Sequence, residues 1–380
     1  MKKKKVKFKT YDQLLDNLRD HGLTITNNGL AIEMLKSRGY YNLVNRYKNS
    51  LYEKNKNQYR PNSSLTEMYQ YSRMEDDLKN ILFRFTINFE QEVKENMSYI
   101  MAKNFGVNQK SYLDPHNYRS RHYKRTVSII SQIYNVSTDS ENNPTKYYRD
   151  NYECIPPWIL LNNLMFGEMR MLYSIFPNKM KRYVVRQLLL PSPKDELSYD
   201  NFTMRAFSKK DQDIINKEER ELQKWPVPSY IKATIKAEND VIELFQTILK
   251  TINAFRNTLA HGGSIANFHA YQNLNLKYIK YFISNGFTDS EFKNKNLGNG
   301  IFGVFVCLLL TLDKYDALFL IQKLKDWKKQ NTENVDQQRM FINFVRFCNL
   351  PDDFIERLEK IRRDLYFVPR IDAPDIFKFY

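Results

Sequence analysis

The sequence predicts an all-α protein, and three observations carry that prediction. Apolar residues recur three and four positions apart over most of the chain, which is the period of a helix with one buried face. Glycine (11) and proline (13) are sparse over 380 residues, too few for a turn-dense all-β fold. Apolar residues make up 42% and charged residues 27%, the balance of a folded globular chain with a sizeable core.

The elements follow in order. Leu14, Leu15 and Leu18, then Ala31, Ile32, Met34 and Leu35, mark two short helices separated by a break at His21-Gly22. The polar stretch 55–64, with Pro61, reads as a connection. A long helix is expected over 64–103, with Leu82, Phe85, Phe89, Val93 and Ile100 on its core stripe. The polar stretch 136–149 reads as a surface loop, and helical patterning returns over 158–176. In that segment Trp158 and Phe166 fit core packing, and Gly167 fits a close helix approach. Leu190-Pro191-Ser192-Pro193 is a further break, and the charged stretch 211–223 reads as an exposed helix or an insertion. Phe245, Ile248, Ile252, Phe255 and Leu259 mark an amphipathic helix that stops at His261-Gly262-Gly263. From 289 to 363 apolar and charged helical stretches alternate, and the segment 366–380, with two prolines, reads as an extended tail.

Net charge is +16, from 59 Lys and Arg against 43 Asp and Glu. That excess attracts polyanions, nucleic acid above all, and a merely Lys-rich surface is the plain alternative. Cys154, Cys307 and Cys348 are widely spaced, with no CxxC pair, which fits a reducing cytoplasm and not a zinc site. The basic start has no apolar run of a secretory signal, and the longest apolar run, 301–312, is too short for a bilayer. A cytoplasmic protein without membrane attachment, cofactor or bound metal is expected.

The segment Arg256-Asn257-Thr258-Leu259-Ala260-His261 carries the clearest chemistry. With Phe255 at zero on a helical wheel, Arg256 falls at about 100°, Asn257 near 200° and His261 near 240°. Asn257 and His261 are therefore neighbours on a face turned off the core, with Arg256 on its rim. RNA cleavage by the RNA's own 2′-hydroxyl needs a group that moves protons near neutral pH, and imidazole does so. It also needs a fixed cation for the charge building at phosphorus, which a guanidinium supplies. Asn257 can orient the imidazole or bind phosphate. The plain reading is that His261 caps a helix C-terminus, where the dipole favours a cation, and that Arg256 is a solvated rim residue.

The peptide FRNTLAH (255–261) resembles the RN-x-x-AH signature of HEPN-superfamily ribonucleases. TYDQLLDNLRDHGLTI with AIEMLKSRGYYNLVNRY (10–25 and 31–47), and IPPWILLNNLMFGEMRMLY (155–173), resemble two segments of the Abi-like (AbiD/AbiF) abortive-infection family in the same order. The resemblance spans about 10–264 and implies a HEPN-like helical bundle with an N-terminal helical unit and a C-terminal helical extension. On that basis residues 1–10 form a basic tail and 11–62 the N-terminal unit. Residues 63–285 form the HEPN-like domain carrying the motif, and 286–380 a helical accessory region. The resemblance implies a metal-independent endoribonuclease of anti-phage, toxin-like defence, in some relatives beside a small structured non-coding RNA.

Carried over residue by residue, the resemblance assigns catalysis to Arg256, Asn257 and His261. Glu90 falls where relatives often carry a helix-borne Glu, and Lys94 where many carry Arg. Lys94 keeps the charge but loses the two-pronged fork. Glu90 and Lys94 also read as an ordinary i,i+4 surface pair. After His261, where relatives often show a second His or a polar run, this chain has Gly262-Gly263-Ser264, which leaves the local phosphate contacts open. Relatives combine two motifs across a symmetric interface, so one motif per chain implies a C2 homodimer with a composite site. Tyr40, Tyr41 and Tyr47 read as core, with base stacking as the alternative. Lys2, Lys3, Lys4, Lys5, Lys7 and Lys9 are candidate RNA-phosphate contacts or a solubilising tail. A non-catalytic RNA-binding or sensor protein holding a structured RNA is the competing functional reading.

Overall fold

Thr10 starts the first helix, α1 (Tyr11–Asp20), through a capping box with Gln13, and Leu15 and Leu18 turn inward. In the computed structural model, which describes residues 7–118, 123–189, 229–283, 285–294 and 297–366, Gly22 then reverses the chain with φ +83°. Asn27 caps α2 (Asn28–Arg38), and Gly39 ends it. A widened π turn at Tyr41–Asn45 leads into α3 (Arg46–Leu51). The expected connection after it holds a small antiparallel hairpin, β1 (Tyr52–Glu53) and β2 (Gln58–Tyr59). Two-residue strands are too short to show a period in sequence.

Ser64 caps the 41-residue α4 (Leu65–Phe105), the axis of the fold. Its expected stripe is buried in full, from Leu82 through Phe85, Phe89 and Val93 to Ile100. After α5 (Gln109–Tyr112) come α6 (Tyr123–Asp139), α7 (Thr145–Asn151), α8 (Pro157–Asn163), α9 (Phe166–Ile175) and α10 (Asn178–Leu188). The 32-residue α11 (Ser229–Ala260) runs beside α4. The chain then forms α12 (Leu276–Ile279), α13 (Asp289–Asn294), α14 (Ile301–Thr311), α15 (Lys314–Gln330), α16 (Val335–Phe347) and α17 (Phe354–Tyr366). Helices α8, α10, α11, α15 and α16 all pack on α4, so the N-terminal and C-terminal segments share its core. Every residue of α14 is buried, and no helix among the described residues is long and apolar enough to cross a membrane.

Several sequence expectations change. The expected loop 136–149 is mostly helix: α6 continues to Asp139 and α7 begins at Thr145. Its polar composition belongs to the outward faces, while Ile129, Ile130, Ile133 and Ser137 keep a buried stripe. Arg149 closes the end of α6 by donating to the carbonyls of Thr138 and Ser140, at 2.7 and 2.8 Å. Trp158 is not core: it is 42% exposed at the start of α8, while Phe166 is buried as expected. Tyr47 is buried and Tyr40 half-buried, but Tyr41 is 73% exposed, because the π turn rotates it outward. The segments 190–193, 211–223 and 367–380 lie outside the described residues.

One surface ion pair fastens the C-terminal helices. Arg357 on α17 donates through both terminal nitrogens to Glu291 on α13, at 3.0 Å each. This forked bond, with the Thr288 backbone N–H, holds the Glu291 carboxyl at about 2, below its ordinary 4.5. A depressed carboxylate stabilises the fold above pH 4.5, and that contribution is lost as pH falls from 4.5 toward 2. Glu291 is 22% exposed, so the effect is moderate. Glu291→Gln is expected to lower stability by about 1–3 kcal/mol at pH 7 and to flatten the acid limb of the stability curve. Urea unfolding across that pH range tests it; an unchanged acid limb would count against the pairing.

Candidate active site

The apolar stripe of α11 sets its orientation. Phe245, Ile248, Ile252 and Phe255 are fully buried against α4 and its neighbours. Arg256 is consequently on the rim, its side chain 33% exposed, while Asn257 and His261 face outward. Neither side chain has a hydrogen-bond partner among the described residues. The imidazole is therefore open to solvent and to any bound substrate.

The helix ends by a glycine-based closure. Gly262 takes the left-handed conformation (φ +65°), and its N–H donates to the carbonyl of Leu259 at 3.2 Å. The N–H of Gly263 donates back to Thr258 at 2.8 Å, which completes a Schellman motif with His261 as the last half-helical residue. The two glycines after His261 thus have a local cause. A Cβ on Gly263 would sit 2.8 Å from Thr258 Cγ2 and 3.1 Å from its carbonyl oxygen. Gly263→Ala is expected to cost about 1–3 kcal/mol and to disorder the end of α11. A thermal unfolding midpoint unchanged from wild type would contradict that packing.

Glu90 and Lys94 join Arg256. Both are only 7% exposed, which removes the reading of a solvated surface pair. Lys94 Nζ lies 2.9 Å from Glu90 Oε1, and Arg256 Nε lies 3.4 Å from Glu90 Oε2. The second contact is ionic by distance and lacks hydrogen-bond alignment, since Glu90 Oε2 and Arg256 Nε have no hydrogen-bond partner among the described residues. The Lys94 ammonium also reaches the carbonyl of Asn162 at the end of α8, at 3.4 Å. One carboxylate thus lies between two cations, and the cluster carries one positive charge in excess. Gly167 on α9 faces Asn253 of α11, but a Cβ there would sit 4.0 Å from Asn253 Oδ1, an ordinary contact distance, so the expected close helix approach is not what requires glycine at this position.

A second cluster was not anticipated. Glu75 on α4 is 0% exposed. Its Oε1 accepts from Ser264 Oγ (2.9 Å) and the Ile265 N–H (2.6 Å), and its Oε2 accepts from the Tyr47 hydroxyl. Arg46 Nη1 and Lys79 Nζ lie 3.6 and 3.9 Å away. Arg46 Nη2 donates to the Gly262 carbonyl at 2.9 Å. Burial, with the Glu75 charge and hydrogen bond, pushes the Tyr47 phenol up, so it stays a donor. Burial lowers the Lys79 ammonium against the opposing pull of Glu75. The one sequence sign was an acidic residue one position after Met74 on the stripe that runs from Tyr71 to Leu78, since a buried carboxylate needs partners.

Lys7 and Lys9 are exposed, and Lys9 Nζ lies 3.5 Å from Asn17 Oδ1 on α1. Lys2, Lys3, Lys4 and Lys5 lie outside the described residues. Among the described residues no three His, Cys, Asp or Glu gather as metal ligands.

Residues 33–267 match the family described as Abi-like protein, a span that contains Glu75, Glu90, Lys94 and the whole Arg256–His261 segment. No curated protein and no solved structure matches the chain.

Proposed function

The chain belongs to the Abi-like protein family, and from that premise we propose that it is a metal-independent endoribonuclease of abortive-infection defence. The observation that carries this reading is an unpaired, outward-facing His261 on the same helix end as a guanidinium held by a buried carboxylate. The nucleophile belongs to the substrate. The 2′-oxygen attacks its own phosphorus, the P–O5′ bond breaks, and a 2′,3′-cyclic phosphate forms. The 2′-hydroxyl proton must leave and the departing 5′-oxygen must gain one. His261 performs one of these transfers, and Arg256 stabilises the phosphorane charge. Asn257, one turn before His261 on the same face, orients the imidazole or the phosphate. Glu90 holds Arg256 without consuming its terminal nitrogens, and Lys94 offsets the carboxylate.

In an in-line displacement the entering 2′-oxygen and the departing 5′-oxygen lie on opposite sides of phosphorus, so a single imidazole reaches only one of the two proton transfers. A second copy of the chain, meeting the first across a two-fold axis, supplies the other, so the active species is a homodimer. The +16 charge supports an RNA partner, a cellular or phage target or a small structured RNA.

The test is cleavage of cellular RNA with EDTA present, with the product ends analysed and the mass of the active species read by light scattering. Cyclic phosphate ends from a dimer are expected. Cleavage lost with EDTA, or kept by a strict monomer, overturns the corresponding part. The net charge equally suits a non-catalytic RNA-binding or sensor protein. A discrete RNA that co-purifies, with no cleavage and no toxicity on overexpression, would establish that reading instead.

A further inference from the structure

We infer that Glu75 is a positioning residue for this site: with Arg46 it holds the turn behind His261 and so sets where the imidazole stands. The inference rests on the reading of His261 as the proton-transfer group.

The exposed His261 side chain has no hydrogen-bond or ion-pair partner among the described residues, so its position is set by the backbone on either side. On one side that backbone is α11. On the other it is the turn 262–265, which Glu75 and Arg46 hold at three points: the Gly262 carbonyl, the Ser264 hydroxyl and the Ile265 N–H. The glycine closure alone already ends the helix. The Glu75 contacts are not needed for that and act on the turn beyond it.

A fully buried carboxylate costs several kcal/mol unless its lone pairs are filled and its charge is offset. Here three donors and two cations do so, and they come from three parts of the chain. Arg46 and Tyr47 belong to the N-terminal unit, Glu75 and Lys79 to α4, and Ser264 and Ile265 to the turn. Such a network admits one arrangement, because moving the turn strips two hydrogen bonds from a buried charge at once. The N-terminal unit is thereby coupled to the motif through Arg46, whose guanidinium touches both the carboxylate and the Gly262 carbonyl.

The test compares Glu75→Gln, Ser264→Ala and Arg46→Met in the full chain, with two readouts. The first is native-state hydrogen exchange at the Ile265 amide together with the His261 ring resonances. The second is steady-state RNA cleavage. Exchange at Ile265 is expected to quicken about tenfold or more in Glu75→Gln, with kcat lowered about 10- to 100-fold and KM changed less than twofold. Faster exchange with unchanged kcat overturns the positioning role. Unchanged exchange and unchanged ring resonances in all three variants overturn the tether itself. Ser264 and Arg46 are partly exposed, so their variants carry the same readouts if Glu75→Gln does not fold. A wild type that does not cut RNA counts against the ribonuclease reading alone; the amide and ring signals then decide the tether.

Discussion

His261→Ala is expected to lower RNA cleavage by about 10²- to 10⁴-fold, the usual worth of a positioned acid–base group. The loss should fall on kcat, because the imidazole acts on protons in flight and has no hydrogen-bond or ion-pair partner among the described residues. For the same reason stability should change by less than about 0.5 kcal/mol, the range of an exposed surface substitution. That pairing of effects separates catalysis from the helix-capping alternative, in which the fold would weaken and cleavage would persist. Arg256→Ala should lose about 10²- to 10³-fold, as for removal of one transition-state donor. Arg256→Lys should recover little of it, since an ammonium lacks the planar fork. Cleavage by His261→Ala at the wild-type rate would falsify the assignment.

A large stability effect is also expected at Glu90. Replacing it by alanine leaves Lys94, almost fully buried, and Arg256 without their shared counter-charge. Removing one partner of a buried ion pair costs about 3–5 kcal/mol, and the partial exposure of Arg256 places this case near 3 kcal/mol. The unpaired lysine is the main cost, so Glu90→Leu with Lys94→Met should recover much of the loss. Cleavage should fall in Glu90→Ala and in the double variant alike, because Arg256 has lost its anchor in both. Urea unfolding of wild type, Glu90→Leu, Lys94→Met and the double variant forms a complete cycle. A coupling energy near zero would mean that the pair behaves as a solvated surface pair despite its burial.

The two predictions differ in how far the sequence anticipates them. The off-core placement of Asn257 and His261 follows from local periodicity, because Phe245 to Phe255 sets the buried face of α11 and the wheel does the rest. The stop at Gly262-Gly263 is local as well: a left-handed position followed by a close approach to Thr258 needs glycine at both. The same local rule located the stripe of α4. It misplaced the 136–149 segment, because polarity alone was taken as loop character while the buried stripe of α6 ran on beneath it. It misplaced Trp158 and Tyr41 because a hydrophobic type was taken as burial, whereas their exposure depends on helix starts and on a π turn.

What the sequence determined by itself is therefore the all-α class, the amphipathic faces of α4 and α11 and the direction in which Asn257 and His261 point. These depend on neighbours within one or two turns, which the order of residues specifies directly. What only the tertiary structure decided is which charges meet. Glu90 could equally have been a solvated partner of Lys94; packing of other helices on α4 buried it, and α11 brought Arg256 to its second oxygen. Glu75 had no assigned role until the turn after His261 came to rest on it. Contacts between residues far apart in the chain depend on how whole helices pack, and a buried charge is stable only where that packing delivers its partners.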